Sequence, residues 1–241
     1  MPYYARRHQL EEDIAYHVIN RANARAKIFH DHRDYDMFKG ILLEYSRKND
    51  VKIYHYCIMP NHYHLLIELE EPERLSAFMA NVNRLYTVYY HKRYKTSGYL
   101  WQGRFKSRAI QKDEYLLACG RYIEMNPVTC GMVSCPEEYS YSSAHYYVMG
   151  SADDLVTEDP LYAGFGADTH TRRTEYRKFL LSFDADGEKR YTDYDIPLGD
   201  ANFRCRLVKH KGHHIPRRKG RALSQRHYPL GAERMTREKF N

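Results

Sequence analysis

Two histidines, His62 and His64, stand two residues apart in the β-rich run HYHLLIEL. On a strand, alternate side chains leave from the same face, so both imidazoles would lie close enough to share one cation. On a helix the same spacing would separate them. His30 and His32 repeat the spacing at an expected helix start, where the rings diverge, and serve as an internal control. Farther along, Tyr122 and Asn126 are four apart in an expected helix and share a face about one turn apart. A tyrosine can attack a phosphodiester, but its pKa of about 10 keeps it protonated at neutral pH, so its site must stabilise developing charge. A divalent cation does this by polarising the phosphate. Two imidazoles with the Asn126 carboxamide leave open positions for phosphate oxygens and water. The competing reading of Tyr122 is packing, since the chain has 24 tyrosines.

A second constellation lies between Arg84 and Lys112, which holds eight basic residues and no acid: Arg84, Lys92, Arg93, Lys95, Arg104, Lys106, Arg108 and Lys112. Interleaved are Tyr86, Tyr89, Tyr90, Tyr94, Tyr99, Trp101 and Phe105. Cations for phosphates and flat rings for unstacked bases are the components of a groove for single-stranded nucleic acid. Helix amphipathicity alone would put some of these rings in a core.

The elements that position these residues follow from local pattern. Alternation through Ile14, Tyr16 and Val18 suggests a first strand ending near Arg21. Residues 32–48 carry apolar positions at helical spacing. VKIYHYCIM (Val51 to Met59) and HYHLLIEL (His62 to Leu69) flank a Pro60-Asn61 turn and predict an antiparallel hairpin. A long helix is expected from Leu75 to Arg93, a short strand from Phe105 to Ile110, and a helix from an Asp113 cap to Asn126, before Pro127. The order is that of an α+β, ferredoxin-like split βαβ with an antiparallel sheet, a catalytic C-terminal helix and a basic C-terminal extension. One catalytic unit over residues 1–150 is expected, then an extension over 151–241 with an acidic connector, one helix near Thr174 to Leu181, and a tail with little apolar periodicity from Arg204 onward.

Composition narrows the class. No run approaches a membrane span, and the first eight residues carry no apolar stretch of signal type, so a cytoplasmic protein without membrane contact is expected, nucleoid-associated if its partner is DNA. The five cysteines form no Cys-x-x-Cys and read as reduced, buried apolar residues. His210 and His214 have a zinc-like spacing but only Cys205 nearby. The net charge of +7 is uneven: residues 201–241 hold 12 Lys or Arg against 2 Glu, while the preceding 200 residues are slightly acidic. Such a tail is either a solvated arm or attracted to nucleic acid.

Three motifs then coincide: MPNHYHLLIE (Met59 to Glu68), GYLWQGRFKSRAI (Gly98 to Ile110, including Gln102) and YLLACGRYIEMNPV (Tyr115 to Val128, including Arg121). In this order and spacing the chain resembles the single-tyrosine HUH transposases, most closely the REP-associated tyrosine transposases, over residues 10–150. The resemblance implies a ferredoxin-like nuclease that uses Mg²⁺ or Mn²⁺, recognises hairpin-forming palindromic DNA, and cleaves a single strand through a 5′-phosphotyrosine link. It makes His62 and His64 the metal-binding pair and Tyr122 the nucleophile. Asn126 stands where relatives often have Gln and is one methylene shorter, so it ligates either directly or through water. Glu124, two residues from Tyr122, points away. The cluster Arg217, Arg218, Lys219, Gly220 and Arg221 resembles basic ends that lie in DNA minor grooves. The expected partner is single-stranded or hairpin DNA, and the protein is expected as a monomer or homodimer. The alternative is a non-catalytic binder of hairpin DNA or RNA on the same fold. A double-stranded DNA repressor would want a helix-turn-helix signature, which is lacking.

Overall fold

The computed structural model describes residues 10, 11, 14–184, 191, 194 and 197–211. Four strands, β1 (Ala15–Arg21), β2 (Val51–Met59), β3 (His62–Leu69) and β4 (Lys106–Ile110), form one antiparallel sheet in the order β2-β3-β1-β4. This is the expected ferredoxin-like arrangement. Helices α1 (His32–Lys48) and α2 (Arg74–Tyr94) cover one face. Their core meets Tyr16, Val18, Tyr63, Leu65 and Ile67, the even positions of β1 and the odd positions of β3.

The opposite face takes the alternate residues. Ala15, Leu66, Cys57, Met59 and Ile110 pack there beneath α3 (Glu114–Glu124), through Leu116, Cys119 and Ile123. The Asp113 carboxylate accepts from Tyr115 N at 3.0 Å and caps α3 as expected. The far end differs. α3 stops at Glu124, and Asn126–Thr129 forms a separate short turn, α4, with Pro127 in its first turn. Proline ends α3 yet suits a helix start, where its missing N–H is not needed.

The segment after α4 runs along the β2 edge. Ser143 N donates to Tyr56 O at 3.0 Å, Ile58 N to Tyr141 O at 2.9 Å, and Thr157 N to Ile53 O at 2.8 Å. Helix α5 (Thr169–Leu181), capped by Asp168, then sets Tyr176 and Leu180 in a small core with Met125, Ala144, Tyr147 and Tyr162. On the other edge Leu198 bridges Ile110 in parallel. A last helix, α6 (Ala201–Lys211), buries Phe203 and Leu207 with Leu10 in the α1/α2 core. Between Arg204 and Lys211 the chain is therefore helical despite its little apolar periodicity: two apolar residues four apart suffice to dock a helix while giving too short a pattern to detect. Arg217, Arg218, Lys219 and Arg221 lie outside the described residues, as do His214 and the His210 side chain.

Candidate active site

Antiparallel register gathers the chemistry on the α3 face. His62 is paired with Arg21 and with Met59, and His64 with Ile19 and with Cys57. Their rings project together, with centroids 5.0 Å apart. Both are buried. His62 Nδ1 donates to Asn61 Oδ1 at 2.6 Å, while Asn61 Nδ2 donates to Arg25 O at 3.0 Å. The second bond fixes which amide atom faces His62, so Nδ1 carries the proton and Nε2 offers its lone pair. The acceptor carbonyl sits in a strained turn, where Ala24 and Arg25 hold φ of 52° and 58° without being glycine.

A third histidine joins them that sequence patterning did not single out. His17 on β1 is fully buried, and its Nε2 lies 2.9 Å from His64 Nδ1. Arg108 is its cross-strand partner. Burial, reinforced by Arg108, lowers the His17 pKa to about 3. Burial, then Arg21, lowers that of His62 to about 4, and burial followed by His62, His17 and Arg21 holds His64 well below the usual range. All three rings are therefore neutral at physiological pH, the state in which imidazole binds metal. The alternation of β1 puts His17 and Arg21 on one face, so the signal was present. What sequence lacked was the register that carries β1 to the side of β3.

Tyr122 stands edge-on to His17 and to His64, each at 5.8 Å between centroids, and stacks on Tyr191 at 5.4 Å. The Tyr194 hydroxyl is 3.3 Å from His17 Nε2 and 3.4 Å from His64 Nδ1. The His-His-Tyr set expected from the sequence is thus brought together, with His17 and Tyr194 added. Asn126 is placed differently from expectation. It begins α4 rather than continuing α3, and its Nδ2 donates back to Tyr122 O at 2.7 Å and Ile123 O at 3.3 Å. Its amide caps the helix that carries Tyr122.

Among the described residues no group of three or more His, Cys, Asp or Glu is arranged to hold a metal ion. The donor set that fits a cation is the pair His62 and His64, neutral, adjacent, and each engaged at Nδ1 so that Nε2 is the remaining ligand atom. A two-histidine site leaves the other positions to phosphate oxygens and water.

Glu124 points away from the histidine pair, as expected, into a buried polar cluster. A bulge in β2 between Ile53 and His55 precedes the His55 ring, which lies against α3. His55 Nδ1 is 2.9 Å from Glu124 and Nε2 3.0 Å from Asp159, all three side chains fully enclosed. Ser143 and Tyr176 also donate to Glu124, at 2.5 and 2.8 Å. Burial alone would lower the His55 pKa, but Glu124 and Asp159 outweigh it and raise it to about 9. The imidazolium donates through both nitrogens.

The expected DNA groove divides. Arg84, Lys92, Lys95, Tyr99, Gln102, Arg104 and Lys106 are exposed, Tyr99 at 90%. Five others are corrected to different roles. Arg93 is held by Asp31 and buried Asp34. Trp101 donates to Asn83 O and Thr87 Oγ1 and packs on Phe38, Tyr63 and Tyr86, and Phe105 is buried in the same core. Arg108 is buried beside His17. Arg121 lies over the Phe179 ring at 4.5 Å and donates to Ser182 Oγ at 3.0 Å, tying α3 to α5. Basic and aromatic residues alternate on α2 mainly because one side of the helix is core.

Comparison with known proteins agrees with the fold. A Haemophilus influenzae protein named as a REP-associated tyrosine transposase is 33% identical over an alignment of 100 positions that covers 37% of this chain and 56% of that relative. The match thus spans just over half of the relative's length. A solved REP-associated tyrosine transposase bound to a REP hairpin superposes with a TM-score of 0.53 at 21% identity, covering 66% of this chain and 93% of that one. A Deinococcus radiodurans transposase structure gives a TM-score of 0.33, also at 21% identity, covering 44% of this chain and 84% of that one. The profile described as "Transposase IS200 like" matches residues 11–126, the stretch that contains the sheet, the histidine pair and Tyr122. Over these residues, just under half of the chain, it is similar to the IS200-like transposases.

Proposed function

We propose that this protein cleaves and rejoins single-stranded DNA beside a hairpin, with Tyr122 as nucleophile. The observation that carries the reading is the approach of the Tyr122 ring, edge-on at 5.8 Å, to His64, whose neighbour His62 shares its face. In the reaction, Tyr122 Oη attacks the phosphorus and loses its proton. The bond from phosphorus to the 3′-oxygen breaks, that oxygen leaves as a hydroxyl, and the 5′-phosphate stays on the tyrosine. Attack by a 3′-hydroxyl on the same linkage reverses the sequence and rejoins a strand.

Bound Mg²⁺ or Mn²⁺ supplies polarisation of the phosphate and stabilisation of its developing charge. His62 and His64 hold it, Asn61 keeps the His62 ring in its ligand tautomer, and Asn126 caps the nucleophile's helix. Arg21, cross-strand from His62, adds positive charge on the side where a phosphate lies. The exposed set from Arg84 to Lys106 lines the strand's path, with Tyr99 offering a face for an unpaired base. A hairpin as partner is supported by the REP hairpin in the related structure. The basic residues of 212–241 strengthen attraction to DNA.

The test is a denaturing gel with a labelled hairpin oligonucleotide and Mn²⁺. Wild type forms a covalent adduct, and Tyr122→Phe forms none while retaining hairpin affinity. Adduct in the Phe variant points to another tyrosine, with Tyr115 first. Binding without adduct in the wild type leaves the non-catalytic reading.

A further inference from the structure

We propose that His17 is a positioning residue that holds His64 in the tautomer able to bind a cation, by accepting the His64 Nδ1 proton at its own Nε2. The inference rests on the reading of His62 and His64 as the cation pair. Three observations carry it. The ring nitrogens are 2.9 Å apart, a full hydrogen bond, and shorter than the 3.3 and 3.4 Å at which the Tyr194 hydroxyl approaches the same two atoms. The geometry parallels that of His62, whose Nδ1 is held by Asn61 at 2.6 Å, so each member of the pair has a partner at the nitrogen that faces away from the proposed cation.

The third observation is a cost. With Nε2 as acceptor, neutral His17 carries its proton on Nδ1, and this atom is buried with no partner among the described residues. A buried donor left without a partner is unfavourable. The opposite pair of tautomers would leave a bare acceptor instead of a bare donor, but it would turn an N–H of His64 toward the cation. An orphan of this kind calls for an explanation, and a ligand-ready His64 supplies one.

The full chain decides the matter with two measurements. Long-range ¹H–¹⁵N correlation of the metal-free wild type at neutral pH should find His64 protonated at Nδ1, and His17→Leu should shift it toward Nε2. Calorimetric titration with Mn²⁺ should show binding weakened about 10- to 100-fold in His17→Leu. His17→Gln, whose amide oxygen reaches the Nε2 position, should stay within about threefold of wild type, a rescue that a purely structural role would not produce. A wild-type His64 protonated at Nε2, or a folded His17→Leu with unchanged Mn²⁺ affinity, overturns the proposal. If the Leu variant does not fold, a folded His17→Gln that loses Mn²⁺ affinity tenfold does the same. A wild type that binds no Mn²⁺ sinks the cation reading itself, and the tautomer spectrum still decides the hydrogen bond.

Discussion

Nδ1 of His55 on β2 lies 2.9 Å from the carboxylate of Glu124, two residues along α3 from Tyr122, so the turn that carries the proposed nucleophile is tied to the sheet by a buried ion pair. Asp159 closes the other side of the ring at 3.0 Å and brings the later segment into the same contact.

That pair makes stability depend on pH in a defined window. His55 is raised from 6.5 to about 9 in the folded state. A raised pKa contributes stability fully below pH 6.5 and loses it as pH rises through about 9. A shift of this size corresponds to roughly 3 kcal/mol. Scanning calorimetry from pH 6 to 10 should show the midpoint falling across that window. Glu124→Gln should destabilise by about 3 to 5 kcal/mol at pH 6.5 and flatten the profile. A wild-type midpoint constant from pH 6 to 10 would refute this account.

Gly120 provides a test in which two effects have opposite signs. Alanine in a helix interior is favoured over glycine by about 1 kcal/mol. Here a Cβ would meet the His55 ring at 2.7 Å, inside contact distance and against a ring fixed on both sides. Overpacking of this kind costs about 1 to 3 kcal/mol. Gly120→Ala should therefore lower urea stability and reduce adduct formation. Increased stability would mean that the ring has room to move.

His62→Ala and His64→Ala should abolish Mn²⁺-dependent adduct formation, whereas His30→Ala should retain it, since His30 lies against Tyr90 and Tyr94 away from the site. Asn61→Ala leaves both ligands in place but frees the His62 ring. Its Mn²⁺ requirement should rise about 10- to 100-fold, with activity regained at saturation. An Asn61 variant with wild-type metal dependence would show that the turn does not govern His62.

Binding energetics should separate true groove residues from packed ones. Replacing Lys92, Lys95, Arg104 or Lys106 with Ala should flatten the slope of log affinity against log salt by about 0.7 to 0.9 per lost phosphate contact. Arg93→Ala and Trp101→Ala should instead lower thermal stability with little change in slope. Removing residues 212–241 should flatten the slope by roughly three units if about four side chains touch phosphates. The cut belongs after Lys211, because ending near Asp200 would also remove buried Phe203 and Leu207. Filter binding over a salt series measures all of these.

The pattern of legible and hidden features has a physical basis. Strands, the Pro60-Asn61 hairpin and the His62/His64 face follow from local periodicity, and the structure places them as expected. His17 and the His55–Glu124–Asp159 cluster escaped because their partners lie 47, 69 and 104 residues away along the chain. Arg93 was misjudged for a related reason, since charge density does not reveal that Asp31 and Asp34 return to meet it. Asn126 shows the limit of spacing arguments: four residues imply one shared face only while the helix continues, and α3 ends at Glu124.

The bonds along β2 and β4 bear on how the protein behaves when handled. Exposed edge strands are templates for association between chains, and here segments distant in sequence occupy them: Tyr141, Ser143 and Thr157 along β2, and Leu198 beside β4. A fragment ending at residue 150 keeps the whole sheet and Tyr122 but loses Thr157 from one edge and Leu198 from the other. The groups left bare, Ile53 O on one edge and Ala109 O on the other, are of the kind that accept a strand from a second copy.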